Sequence, residues 1–216
     1  KGTHTSRTIM LDEIHTLLAT CQPDASPDDY ATAIIENNCL GKRTVATRKL
    51  SFQRLSELYA LDPQVPLFRI MRSFWYADRS GHALLALLIS LARDPLLRMT
   101  ATPVLRTRSG EELARQPLID ALNRAVGSRL SESTLDKVLR NAASSWTQSG
   151  HLKGRNRKLR ERVTPTASST AYALWLGHLT GTRGPALFES HWAQVLDASP
   201  DELMNLAMDA RRLGFL

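Results

Sequence analysis

The stretch EELARQPLIDALNRAVGSRLSESTLDKVLRNAASSWTQSGHLKGRNRKLRERV, Glu111 to Val163, contains two helical periods followed at once by a dense basic segment. Leu113, Leu118, Leu122 and Val126 recur at helical spacing and predict a first helix over 111–126. Gly127-Ser128-Arg129-Leu130 then reads as a turn. Ser131 is a good N-cap for a second helix, because its hydroxyl accepts from a backbone N–H that the first turn leaves unpaired. Leu135, Val138, Leu139, Ala142 and Trp146 give that helix an apolar stripe, while Lys137, Arg140, Asn141, Ser144 and Ser145 fall largely on the rest of it. Gly150 ends the helix. His151 to Val163 follows as a hairpin candidate with Lys153, Arg155, Arg157, Lys158, Arg160 and Arg162, six basic residues in ten positions broken on the acidic side only by Glu161.

Helix, tight turn, helix and basic hairpin is the order of a winged helix. In such a unit the second helix fits the major groove, while Lys and Arg on the hairpin neutralise phosphates and release condensed counterions. Asn141 is then placed to read adenine and Arg140 guanine through paired hydrogen bonds. The expected DNA-contacting set is Arg124, Arg129, Lys137, Arg140, Asn141, Ser144, Lys153, Arg155, Arg157, Lys158 and Arg160. A second basic patch, Lys42, Arg43, Arg48 and Lys49 with Arg54, has no acid between Asn37 and Ser56 and is expected to touch a neighbouring phosphate run. A charge run is also what a solvated face presents, and helix-turn-helix geometry arises in bundles that bind nothing. The coincidence of the helix pair, the glycine break and the basic hairpin in this order favours DNA.

The whole chain has 216 residues, with 28 Lys and Arg against 21 Asp and Glu, a net charge of +7 and a pI near 9.8. Such a balance favours an anionic partner. Arg98 to Arg162 alone holds fourteen basic and six acidic residues, an excess of eight that exceeds the charge of the entire chain. Cys21 and Cys39 form no CxxC pair and have no neighbouring His pair, so neither a disulfide framework nor a zinc site is indicated, and a reducing cytoplasm is expected. The most apolar run, Ala83 to Ala92, is shorter than the roughly 20 residues of a membrane-spanning helix and reads as a buried core helix. No secretory leader pattern is found at the start, and no membrane partner is expected.

Prolines at first helical positions mark the expected architecture. Ser26-Pro27, Asp62-Pro63, Asp94-Pro95 and Ser199-Pro200 each set a capping side chain before the proline, and Ser199 with Glu202 has capping-box spacing. Strand evidence is thin, confined to Thr102 to Arg108 and His151 to Val163, so the fold class is mainly α, a multi-helical bundle with a winged-helix-like segment and at most a small β-hairpin. The C-terminal part predicts helices over 170–179, 185–196 and 200–213, the last closed by Gly214. Three sub-domains are expected: N-terminal helices over 1–108, the basic unit over 109–165, and C-terminal helices over 166–216. Trp75, Trp146, Trp175 and Trp192, with Phe74, Tyr76, Tyr172 and Phe188, read as core. The six histidines are scattered without HExxH, phosphate-loop or GxSxG motifs, and the acidic pairs Asp28-Asp29, Glu111-Glu112 and Asp201-Glu202 sit where first helical turns are expected. No catalytic residue, metal site or cofactor is predicted.

Glu36-Asn37-Asn38-Cys39-Leu40-Gly41-Lys42-Arg43-Thr44-Val45-Ala46-Thr47-Arg48, followed by Arg54-Leu55 and Leu61-Asp62-Pro63, resembles the N-terminal signature of the BrxA-type proteins of bacteriophage exclusion (BREX) systems. The likeness continues through Ser133-Thr134-Leu135-Asp136 to Asn141, Trp146 to Leu152, and Leu187-Phe188 to Trp192, and so spans most of the chain from about Glu36 onward. The resemblance implies a small, mostly helical accessory protein of antiviral defence. It implies binding of double-stranded DNA, with a DNA methyltransferase, large ATPases and a phosphatase-like component as partners, and it brings no catalytic residue. Two other readings use the same residues. One is a winged-helix transcriptional regulator, normally a symmetric dimer; the other is a non-catalytic interaction module docking through the helical faces around Trp175 and Trp192.

Overall fold

The apolar run Ala83–Ala92 becomes the central helix, α5 (His82–Arg93), in which every residue from Leu84 to Leu91 is buried. This is a computed structural model, and it describes residues 2–126 and 131–216, the side chains of Ala125 and Val126 aside. Around α5 pack α1 (Leu11–Thr20), α3 (Val45–Tyr59), α4 (Pro66–Ala77), α9 (Glu132–Gln148) and α10 (Ala167–Leu179). α2 (Pro27–Ile35) lies on α3, α6 (Pro95–Met99) and α7 (Ala101–Arg106) lead to α8 (Arg115–Val126), and α11 (His191–Gln194) and α12 (Pro200–Arg212) close the structure on α10. The only named strands among the described residues are β1 (Leu152–Lys153) and β2 (Leu159–Arg160), an antiparallel pair. The fold is mainly α, as the sequence predicts. No helix of the described residues is long and apolar enough to cross a membrane.

Several local signals act as expected. Ser26 and Ser199 form capping boxes with Asp29 and Glu202, and the Asp94 carboxylate accepts from the N–H groups of Leu96 and Leu97. Ser131 accepts from Thr134 N at the start of α9. The turn expected at 127–130, with Arg129, lies outside the described residues.

Four expectations are corrected. Asp62-Pro63 starts a turn in which Asp62 accepts from Gln64 N (2.8 Å), and the helix begins one proline later at Pro66. The left-handed backbone at Ala60 and Leu61 and the burial of Leu61 turn the chain there before a helix can start. Thr102 to Arg108 is largely helix, not strand. Pro103 falls in the first turn of α7, where its missing N–H has no partner to lose, and Ala101 and Val104 share one buried face. Glu111-Glu112 is not a first helical turn, since α8 starts at Arg115 and Glu112 instead bridges Leu159 of β2. The helix expected over 185–196 divides into a 3-10 turn, Gly184–Glu189, and α11, with Ser190 capping the latter through Ala193 N.

One contiguous core of buried apolar side chains runs from Ile9 to Ala210 and includes Trp146 and Leu152 of the basic unit. The segments 1–108, 109–165 and 166–216 therefore share a single core. Phe74, Trp75, Trp146, Tyr172 and Trp192 are buried in it, Trp175 and Phe188 pack partly buried against it, and Tyr76 stands out at 42% exposure.

Candidate nucleic-acid interface

The segment before α8 joins the hairpin. Gly110 N donates to Arg160 O, Arg160 N to Glu111 O and Leu113 N to Lys158 O, each at 2.8 Å, and Glu112 forms a single antiparallel bridge to Leu159, so 110–113 runs along the edge of β2. Edge segment, α8, α9, β1 and β2 is the order of elements in a winged helix, and the hairpin is its wing. Gly154 makes the tip. Its φ is +100°, and a Cβ there would lie 2.2 Å from Arg157 O, so only glycine fits.

On α9, Val138, Leu139, Ala142, Ser145 and Trp146 face the core, and Trp146 Nε1 donates to Thr100 Oγ1. Lys137, Arg140 and Ser144 follow one another at i, i+3 and i+7 on the opposite face, with Lys137 and Arg140 exposed and Ser144 half-buried. A third face is covered by the N-terminal segment. Asn141 Nδ2 donates to His4 O (2.9 Å), Ile9 N to Ser145 Oγ (3.0 Å) and Leu11 N to Gln148 Oε1 (3.1 Å). Asn141 is thus engaged within the protein and does not face the surface that Arg140 occupies, which corrects its expected role in reading adenine.

The wing residues divide in the same way. Lys153, Arg155 and Arg157 are exposed, Arg157 at 77% while paired with Glu112. Lys158 is half-buried, its ammonium donating to Thr147 Oγ1 and Gly154 O, and burial lowers its pKa. Arg160 is 4% exposed, paired with Asp197 and bonded to Val104 O, and it cannot meet a phosphate without unfolding the wing base. Arg124, near the end of α8, is exposed. Arg106 and Arg108, which the sequence reading did not select, are also exposed close to the wing in the chain.

The second patch is largely engaged. Lys42 pairs with Glu13 (3.0 Å), Arg48 donates to Ile35 O at the end of α2 and to Lys42 O, and Arg54 pairs with Glu57. Arg43 and Lys49 stay exposed.

Beneath α9 lies a Ser-His-Asp series that no motif signals. His4 Nε2 is 2.7 Å from Ser145 Oγ and His4 Nδ1 is 2.9 Å from Asp94 Oδ2. Burial opposes the Asp94 charge, yet the bonds from His4 and Leu97 hold its carboxyl below the usual carboxylate range. Catalytic use is excluded by geometry: His4 and Ser145 are fully buried, and Ser145 already donates to Asn141 O while accepting from Ile9 N. The series instead pins the N-terminal segment between α6 and α9. Among the described residues no three His, Cys, Asp or Glu side chains cluster to hold a metal. Comparison of the chain with protein-family models and with characterised proteins gives no match.

Proposed function

We propose that this protein is a non-catalytic DNA-binding accessory factor, docking the Lys137–Arg140–Ser144 face of α9 at the major groove and the Lys153, Arg155 and Arg157 tip of the wing on flanking phosphates. The observation that carries this reading is that Lys137 and Arg140 of α9 and Lys153, Arg155 and Arg157 of the wing are all exposed, with Arg140 and Arg155 lining one groove, while the core-facing residues of the same elements are apolar or internally paired. Arg124, Arg43 and Lys49 are accessory phosphate contacts, and Lys158 supports the wing from within. The sequence resemblance supports placing this factor in phage exclusion, acting beside a methyltransferase, ATPases and a phosphatase-like component.

The test is a fluorescence-anisotropy titration with an arbitrary duplex at several salt concentrations, comparing the native protein with Lys153→Glu, Arg155→Glu and Arg157→Glu combined. Each lost phosphate contact removes about 0.9 from the slope of log affinity against log salt, so the triple variant is expected to lose about 2 to 3 and to bind at least about tenfold more weakly at low salt. Equal affinity and equal slope would refute the interface. A symmetric dimer with a two-fold footprint would instead favour the transcriptional regulator.

A further inference from the structure

Between α8, α9 and the wing runs a groove of about 460 Å³, within the roughly 300–1,000 Å³ range of small-molecule sites. Its floor is apolar, made by Leu118, Leu139 and Ala143, and its rim is cationic, made by Arg115, Arg140, Arg155 and Lys158. The carboxylate on its wall, Glu112, is engaged by Arg157. Leu118 and Leu139 show only 5% and 4% exposure, so this floor belongs to the packed core and is pre-formed.

A groove of this volume holds one or two fused rings or a short acyl chain, and of its four basic lining residues Arg115 pairs with Asp136 and Lys158 is bonded to Thr147 and Gly154, which leaves Arg140 and Arg155 to meet an anion. We infer that the groove binds a small amphipathic anion, an apolar ring or chain carrying one carboxylate, sulfonate or phosphate. The apolar body lies on Leu118, Leu139 and Ala143, and the anionic head meets Arg140 and Arg155. Because those two arginines are also assigned to DNA, the anion and the duplex compete; this second part rests on the function proposed above.

The probe is 8-anilinonaphthalene-1-sulfonate, titrated into the intact protein and followed by fluorescence. The uncharged N-phenyl-1-naphthylamine, which has the same rings without the sulfonate, is run beside it. Ala143→Glu puts a carboxylate into the floor and is expected to raise Kd about tenfold or more. Arg155→Glu, at the exposed wing tip, removes a head-group partner without touching the core and is expected to weaken binding at least about threefold, so the site stays testable if Ala143→Glu fails to fold. Met208→Glu serves as the control, since Met208 is 61% exposed on α12 and offers the probe a different apolar surface. Binding lost in the first two variants, kept in the third and weaker for the neutral probe supports the site. Binding unchanged in Arg155→Glu, lost in Met208→Glu, or equal for both probes overturns it. Displacement of the bound probe by duplex supports competition. Duplex that binds without displacing it overturns competition alone, whereas failure to bind duplex at all refutes the DNA reading and leaves the probe result standing.

Discussion

Arg160 and His151 carry positions of similar sequence character to quite different ends from those their neighbours serve. Arg160 belongs by sequence to the basic wing, yet its guanidinium is 4% exposed and pairs with Asp197, itself 12% exposed. Removing one partner of a buried pair leaves the other charge uncompensated. Arg160→Met is therefore expected to cost on the order of 3 kcal/mol in urea unfolding while leaving the salt slope of DNA binding unchanged. A reduced slope without loss of stability would show that Arg160 reaches phosphate. His151 is fully buried between Ser149 Oγ and Val195 O, and burial pushes its imidazole down to about 4. The unfolded chain protonates it near 6.5, so the unfolded state binds more protons between those values, and stability falls as the pH drops from about 6.5 towards 4 by on the order of 3 kcal/mol. His82, also lowered by burial, acts in the same direction. Asp78 loses its contribution in a separate window: Ser168, Ser80, Thr166 and Gly81 N overcome its burial to hold it at about 2, so its share fades between about pH 3.8 and 2. Unfolding free energies at pH 7 and 5 check the histidine contribution, and His151→Gln should flatten the difference between them.

At the scale of elements, what was legible in the sequence is what is local. The α8–α9 pair follows from apolar spacing and from Ser131, which need only neighbours within a turn or two. The fates of Asn141 and Arg160 depend on His4 and Asp197, 137 and 37 residues away, and nothing in the local pattern encodes such partners. The same holds for Glu111-Glu112, which are drawn out of any helix by pairing with the edge of β2. The wing itself tests how far an element shapes the interface. Gly154→Ala places a Cβ against Arg157 O at a φ of +100°, a strain of about 1 to 3 kcal/mol before any clash. The tip must open, shifting Arg155 and Arg157 together. DNA affinity is expected to fall several-fold with no charge removed, and the salt slope should fall with it if the displaced arginines lose their phosphates. Unaltered affinity alongside a lowered melting temperature would mean that the tip lies off the DNA.

For the molecule as a whole, the question is whether the basic unit folds on its own, as its local sequence suggests. Its buried polar groups say that it does not. Trp146 donates to Thr100, Ser145 and Asn141 hold the N-terminal segment, His151 bonds Val195 O, and Arg160 bonds both Val104 O and Asp197. Each partner lies outside 109–165. An isolated fragment of those residues would expose the α9 face that meets α5 and α6, and would strand buried donors at about 1 to 3 kcal/mol apiece in any native-like packing. Net stabilities of whole domains are only about 5 to 15 kcal/mol, so the deficit exceeds what so small a core can supply. The fragment 109–165 is therefore expected to give a poorly dispersed amide NMR spectrum, and the full chain to unfold in one step, with tryptophan fluorescence and far-ultraviolet circular dichroism tracing the same urea transition. Trp75, Trp146 and Trp192 report from all three segments of the core, so separate transitions would be visible if they existed. A dispersed fragment spectrum, or a wing that melts before the helices, would make the interface an autonomous domain and would leave the pinning of α9 by His4 and Ser145 without a role in positioning it.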